Sequence, residues 1–281
     1  MFKRKIMALA ALAFGAAGVL AGALILGGGA AATPSHSALT PRPRPALTAR
    51  LGVPILTYHY VDDTPPDAGS DSASLTVSTA QFEAEMDYLA KHGYHPVTLK
   101  EVYAALSGTA TLPNKPVVLA FDDGGTDGYT VALPILQQHG FRATFFVITG
   151  YVGNRHCMSW DQLRTMSAAG MDIESHTVRH PDLRKVDSTR LAAELAQSRA
   201  ALARELHVDA RILSYPYGRY NNQVIAAAQA AGYEAAVSTT PPGLLRAPLS
   251  CYVWPRTNIS PHTSLGAFAR VVSGARRGTI R

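Results

Sequence analysis

The sequence predicts an α/β fold in which a parallel sheet closes into a barrel. Short apolar runs rich in β-branched and aromatic residues alternate with longer stretches of helical periodicity. Capping signals and glycines punctuate the helical stretches. The strand-like runs number roughly seven or eight, a count that suits a barrel with right-handed crossovers better than an open sheet. No internal repeat of fixed period interrupts the alternation.

In chain order, "VPILTYH" from Val53 to His59 reads as the first strand. A loop rich in Asp, Pro and Ser leads into "VSTAQFEAEMDYLAKHG". There Ser78 and Gln81 make a capping-box pattern, Phe82, Met86 and Leu89 share one face, and Gly93 stops the helix. Val117 to Phe121 is the next strand, followed by a helical segment up to His139 and Gly140 and a strand from Ala143 to Ile148. "SWDQLRTMSAAG" starts a helix with Ser159 and Gln162 and ends it at Gly170. "MDIES" (Met171 to Ser175) is a strand, and the stretch from about Ser188 to Leu206 is a long helix with Leu191, Leu195 and Leu202 in one stripe. "RILSYP", a helix around Gln223 to Ala231 closed by Gly232, and the strand "EAAVS" complete the pattern.

Ahead of this domain, Lys3, Arg4 and Lys5 precede an uncharged run from Ile6 to Ala32, which reads as an export signal. Ala30, Ala31 and Ala32 suit a cleavage site, yet the run is also long enough to span a bilayer, so cleaved signal and retained anchor both stay open. The positive flank places the remainder outside the cytoplasm, secreted or anchored, and touching membrane only through an uncleaved N-terminal segment. Residues 1–32 are thus signal or anchor, 33–50 ("TPSHSALTPRPRPALTAR") a Pro/Arg-rich linker, and 51–281 the functional domain.

The formal charge of +6 comes from 26 basic against 20 acidic residues. Lys3, Arg4, Lys5, Arg42, Arg44 and Arg50 lie in the first 50 residues, where no acid occurs, so the domain itself is balanced. That excludes nucleic acid as a partner. A composition 47% hydrophobic over 281 residues excludes disorder of the whole, and a monomer is expected. Cys157 and Cys251 form the expected disulfide of an exported domain, with two unbridged buried thiols as the alternative. Neither has the company of a structural zinc site.

The strand "VVLAF" ends in Asp122, Asp123, Gly124 and Gly125, and in parallel barrels chemistry gathers at the carboxyl ends of strands. "MDIES" likewise runs into His176 and His180, four residues apart. Two imidazoles and one carboxylate bind a divalent metal while leaving positions for water and substrate, which makes Asp123, His176 and His180 the candidate ligands. Thr177 stands where a zinc-protease helix needs Glu, excluding that reading. A metal-bound carboxylate has lost its basicity, so Asp122 is the group left to take a proton from water. Zinc, cobalt, nickel and manganese all suit the donors.

"FDDG" (Phe121 to Gly124), "SHTVRH" (Ser175 to His180) and "YPYG" (Tyr215 to Gly218) together resemble the polysaccharide deacetylases, the NodB-homology carbohydrate esterases of family 4. "ATFFVITGYVG", "MSWDQLRTMSAAG" and "AAGYEAAVST" extend the resemblance over about Val53 to Ile259. It implies a deformed (β/α)7 barrel and metal-dependent removal of N-acetyl groups from an N-acetylglucosamine-containing polysaccharide of the envelope or an exopolysaccharide. It also implies Asp122 as base, Asp123, His176 and His180 as ligands, usually of zinc, and the Tyr217 backbone N–H as oxyanion donor.

Two departures matter. The late Leu-x-His histidine of many members has no counterpart, since His262 lies in "SPHTS". "ILTYHYV" resembles instead the opening motif of the branch that includes poly-N-acetylglucosamine deacetylases, which implies His59 as the acid, a structural strand-end histidine being the alternative. Ser214 stands where many relatives carry arginine; Arg256 in "WPRTN" either supplies that cation to Asp122 or is a surface residue. Of the aromatics near strand ends, Tyr217 and Trp254 are the candidates for a sugar-stacking floor. O-acetyl ester or small-amide hydrolysis, and a catalytically weak carbohydrate-binding module, are the rival functions.

Overall fold

The computed structural model describes residues 52–64, 72–239 and 250–274. The expected signal or anchor and the linker lie outside the described residues, as do residues 65–71 of the Asp-rich loop after the first strand. Among the described residues no helix is long and apolar enough to cross a membrane.

Six strands run parallel in the spatial order Ala235–Ser238, Ile212–Ser214, Asp172–Ser175, Thr144–Val147, Pro116–Phe121 and Ile55–Tyr58. A seventh stave joins the two edges. Its first half, Trp254–Pro255, pairs with Ala235–Ser238, and its second half, Thr257–Asn258, pairs with Ile55–Tyr58. Arg256 sits between the halves and donates its backbone N–H to Ser238 O at 2.9 Å, while Ile259 N–H reaches Thr57 O at 2.9 Å. A strand offers donors to both sides alternately, so one short segment satisfies both edges and nearly closes the barrel. The expected seven-stave barrel is present, with its last stave too short to carry a periodic signal.

The strands are buried along their lengths, as apolar runs covered on both faces should be. Tyr58, Phe121 and Phe145 stack in series, with centroids 5.3 and 4.5 Å apart, and Phe82 meets Tyr58 edge-on at 5.2 Å. Each such pair adds about 0.5–1.5 kcal/mol beyond its buried area.

The helix Thr79–Lys91 is capped by Ser78, but its expected capping box is only half formed. Gln81 turns its amide away, donating to Glu85 Oε1 and to Ser260 O at 3.0 Å each, which ties the helix to the segment after the seventh stave. At Trp160–Ala168 both arms of the Ser159–Gln162 box are present. The helix Leu99–Leu106, closed by a Thr98–Glu101 box, escaped the reading of the sequence, as did Leu265–Gly274. Leu99–Leu106 brings Lys100 to Asp172 at 2.6 Å and Glu174 at 3.1 Å.

The expected disulfide is absent. Cys157 bridges by backbone to Gly125 beside the Asp pair, whereas the Cys251 carbonyl accepts from Ala236 N–H at the outer sheet edge.

Candidate active site

Asp122 and Asp123 leave the strand Pro116–Phe121 in opposite senses. Asp122 N–H continues the ladder to Tyr58 O at 3.0 Å, and its side chain is buried. Asp123 then adopts a left-handed φ of 71° and Gly124 one of 80°, so the chain reverses at once. Gly125 makes room first for the Asp127 carboxylate, into which a Cβ would run, and then for the Tyr60 ring, whose Cδ1 a Cβ would approach at 3.1 Å. The two glycines therefore serve the turn and the approach of Tyr60, whose hydroxyl donates to Asp123 Oδ2 at 3.3 Å. That leaves Asp123 Oδ1 facing the histidines.

Asp123 Oδ1 lies 3.5 Å from His176 Nε2 and 3.9 Å from His180 Nε2, and the three donor atoms all fall within 4.8 Å of one another. Tetrahedral zinc with ligands near 2.0 Å needs donor separations of about 3.3 Å, so the cluster fits such an ion after small adjustment. His176 Nδ1 meets Ser214 O at 2.8 Å; a carbonyl only accepts, so Nδ1 carries the hydrogen and Nε2 presents its lone pair. Burial, with His176 beside it, pushes His180 down to about 4 and keeps the imidazole neutral, as a ligand must be.

Asp122 stands outside this trio. Arg256 Nη1 and Nη2 donate to its two oxygens at 2.8 Å each, and Nη2 also donates to Ser214 Oγ at 3.0 Å, which in turn donates to Asp122 Oδ2 at 3.2 Å. Arg256 is 1% exposed, so it is no surface arginine. Burial raises the Asp122 carboxyl, but Arg256 and His176 more than reverse this and hold it well below the usual carboxylate range. Ser214, which replaces the arginine of many relatives, thus helps to receive one from another strand.

His59 follows the first strand with its Nδ1 enclosed and without a hydrogen-bond partner. Burial lowers its pKa, against the pull of Asp122 and Asp123, so the resting ring is neutral. Tyr217 has a left-handed φ of 58°, is 57% exposed, and sets its ring 4.6 Å from His180. Trp254 corrects the sequence reading: it is fully buried, packed toward Tyr103 at 6.3 Å, and presents no face to a sugar. An apolar ring on the barrel-closing stave is drawn into the core. Tyr60 and the Ser214 carbonyl are the participants the sequence did not single out. Tyr60 lies one residue after His59, its only signal, and a carbonyl has none.

The family model for polysaccharide deacetylases matches residues 109–236, a span that holds Asp122, Asp123, His176, His180 and Tyr217. YxkH of Bacillus subtilis (strain 168), a relative named for the same activity class, is 35% identical over 220 residues, covering 78% of this chain and 76% of that protein. The chain belongs to the polysaccharide deacetylase family. It is also 30% identical over 174 residues to the poly-β-1,6-N-acetyl-D-glucosamine N-deacetylase of Staphylococcus aureus (strain MRSA252), spanning 57% of this chain and 59% of that protein. Among solved structures, the polysaccharide deacetylase fold described here superposes on Streptococcus pyogenes deacetylase PplD in complex with acetate with a TM-score of 0.74. That match has 30% identity and covers 80% of this chain and 99% of PplD. IcaB from Ammonifex degensii gives a TM-score of 0.66 at 27% identity, over 80% and 97% of the two chains.

Proposed function

We propose that this polysaccharide deacetylase removes N-acetyl groups from an N-acetylglucosamine polymer outside the cytoplasm, with residues 51–281 as its catalytic domain. One observation carries the reading: Arg256 engages both oxygens of Asp122, which comes no nearer than 3.9 Å to His176 Nε2, while its neighbour Asp123 faces both histidines. Asp123, His176 and His180 would hold a divalent ion, with zinc the best match to one carboxylate and two imidazoles, which would supply Lewis acidity and lower the pKa of water. Asp122, outside the ligand trio and paired with Arg256, is the residue placed to take a proton from the attacking water. The Tyr217 backbone N–H donates to the acetyl oxygen as charge gathers there, and the exposed Tyr217 ring offers a face to the sugar. His59 delivers a proton to the departing nitrogen. Being neutral at rest, it must first take up a proton from solvent, which the neighbouring Asp122 and Asp123 carboxylates favour against its burial.

The named activity of the Staphylococcus aureus relative supports poly-N-acetylglucosamine as the polymer. The cationic flank at Lys3, Arg4 and Lys5 and the apolar run behind it support export, as a secreted or anchored protein. The test is acetate release from poly-β-1,6-N-acetylglucosamine, chitin oligomers and peptidoglycan. Release is expected from the first, abolished by a chelator and restored by zinc; silence on all three overturns the reading.

The depressed His59 favours a second reading, cleavage of O-acetyl esters, because an alkoxide leaves without the proton an amine requires. His59→Ala separates the two, as set out below.

A further inference from the structure

The loop that presents His176 and His180 is strained and is held from two sides: Thr149 and Gly150 donate their backbone N–H groups to Thr177 O and Val178 O at 3.1 and 2.9 Å, and one helix grips the loop's own amides from behind. Thr177 and His180 both adopt left-handed φ values, 67° and 55°. Such non-glycine conformations are strained and persist only where the surroundings fix them. The helix Ser188–Leu206 supplies the part of that constraint that acts on the loop's N–H groups. Glu194, 4% exposed, accepts with the single oxygen Oε2 from the backbone N–H of Val178 at 3.0 Å and of Arg179 at 2.8 Å. One turn further, Ser198 Oγ lies 2.8 Å from Ser175 Oγ, which accepts from Thr177 N–H at 3.2 Å. His180 N–H closes the loop on Thr177 Oγ1 at 3.0 Å. Neither the ligand trio nor the proton transfers make use of Glu194.

We infer that Glu194 is a positioning residue for the metal centre, holding Val178 and Arg179 so that His180 stays within reach of Asp123 and His176 and thereby setting metal affinity. The inference rests on the ligand assignment proposed above. Charge-assisted bonds from two adjacent amides to one carboxylate oxygen are strong, and an amide in its place offers weaker acceptance. Groups that orient ligands from behind typically govern metal affinity by 10- to 100-fold. Glu194 also borders a surface cavity of about 380 Å³, lined in part by Arg179, Arg190 and Gln197, so a truncated side chain leaves a space that small anions can enter.

The test uses the full chain, with zinc titrated against a chromogenic competitor, the visible spectrum of the cobalt-substituted protein, and the melting temperature of the metal-free form. Glu194→Ala is expected to lower zinc affinity roughly 10- to 100-fold and to alter the cobalt spectrum. Glu194→Gln is expected to lose roughly threefold to tenfold, since its bonds survive without the charge. Formate, at a concentration that leaves the wild type unaffected, restores part of the affinity of Glu194→Ala. Wild-type affinity and an unchanged cobalt spectrum in Glu194→Ala, with only the melting temperature lowered, overturn the inference. Should Glu194→Ala fail to fold, wild-type affinity in Glu194→Gln does the same. A wild type that binds neither zinc nor cobalt overturns the ligand assignment itself, and this inference with it.

Discussion

Arg256 grips both carboxylate oxygens of Asp122 at 2.8 Å across 134 positions of sequence, from the one residue that lies between the two halves of the barrel-closing stave. Closing the sheet and fixing Asp122 are therefore one structural event. A planar guanidinium suits this task because its fork matches a carboxylate bidentately, and Ser214 completes the triangle.

Asp122→Asn removes the proton acceptor while leaving the ligand trio intact. Acetate release is expected to fall by about 10²- to 10⁴-fold with zinc affinity unchanged. A parallel collapse of zinc binding in a competition titration would place Asp122 among the ligands instead.

Breaking the pair from the other side has a different signature. Arg256→Met strands a buried carboxylate and is expected to cost about 3–5 kcal/mol in urea unfolding. Arg256→Lys keeps the charge but loses the fork, so turnover drops while most stability remains.

His59→Ala distinguishes the leaving groups. If His59 supplies the amine proton, N-deacetylation falls by about 10²-fold or more while hydrolysis of an activated acetyl ester is nearly unchanged. Equal losses on both substrates would show a role in binding or structure.

Glu85 makes stability depend on pH. It accepts from the Tyr58 hydroxyl at 2.7 Å, and burial pushes it up from 4.5 to about 7. The folded state thus keeps a proton that the unfolded chain releases above about 4.5. Stability is highest below that value and is lost as pH rises to about 7, by an amount on the order of 3 kcal/mol. Glu85→Gln should flatten this slope: the gap between wild type and variant, measured by urea unfolding, shifts in favour of the variant between pH 5 and pH 8.

Lys100 pairs with two buried carboxyl groups, Asp172 and Glu174, of which burial and Asp172 push Glu174 well above the usual carboxylate range, and ties a helix to the fourth barrel strand in chain order. Lys100→Met should destabilise by about 3–5 kcal/mol, and adding Asp172→Asn with Glu174→Gln should recover much of it. A fully destabilised triple variant would mean that packing of the lysine stem, not charge, is what matters.

The chemistry at two strand ends was legible because it is local. An apolar run that stops at Asp122 and Asp123, and another that stops at His176 with His180 four residues on, bring these carboxyl and imidazole groups together at the carboxyl ends of parallel strands. The Leu99–Leu106 helix carries a sequence signal in its Thr98–Glu101 box, but the strand ahead of it, His95–Pro96, is too short to mark an alternation. The Gln81 box was read and only half formed, because a carbonyl from residue 260 competed for the same amide.

The sequence by itself determined the alternating α/β pattern, the Asp–Asp and His–His motifs and the export-like N-terminus, all of which depend on neighbours a few residues apart. Tertiary structure alone decided that Arg256 serves Asp122, that Tyr60 turns Asp123 toward the histidines, that Trp254 is core, and that no disulfide joins Cys157 to Cys251. Those outcomes depend on which strand edges meet, and two-residue strands and backbone carbonyls leave no periodic trace from which that meeting can be read.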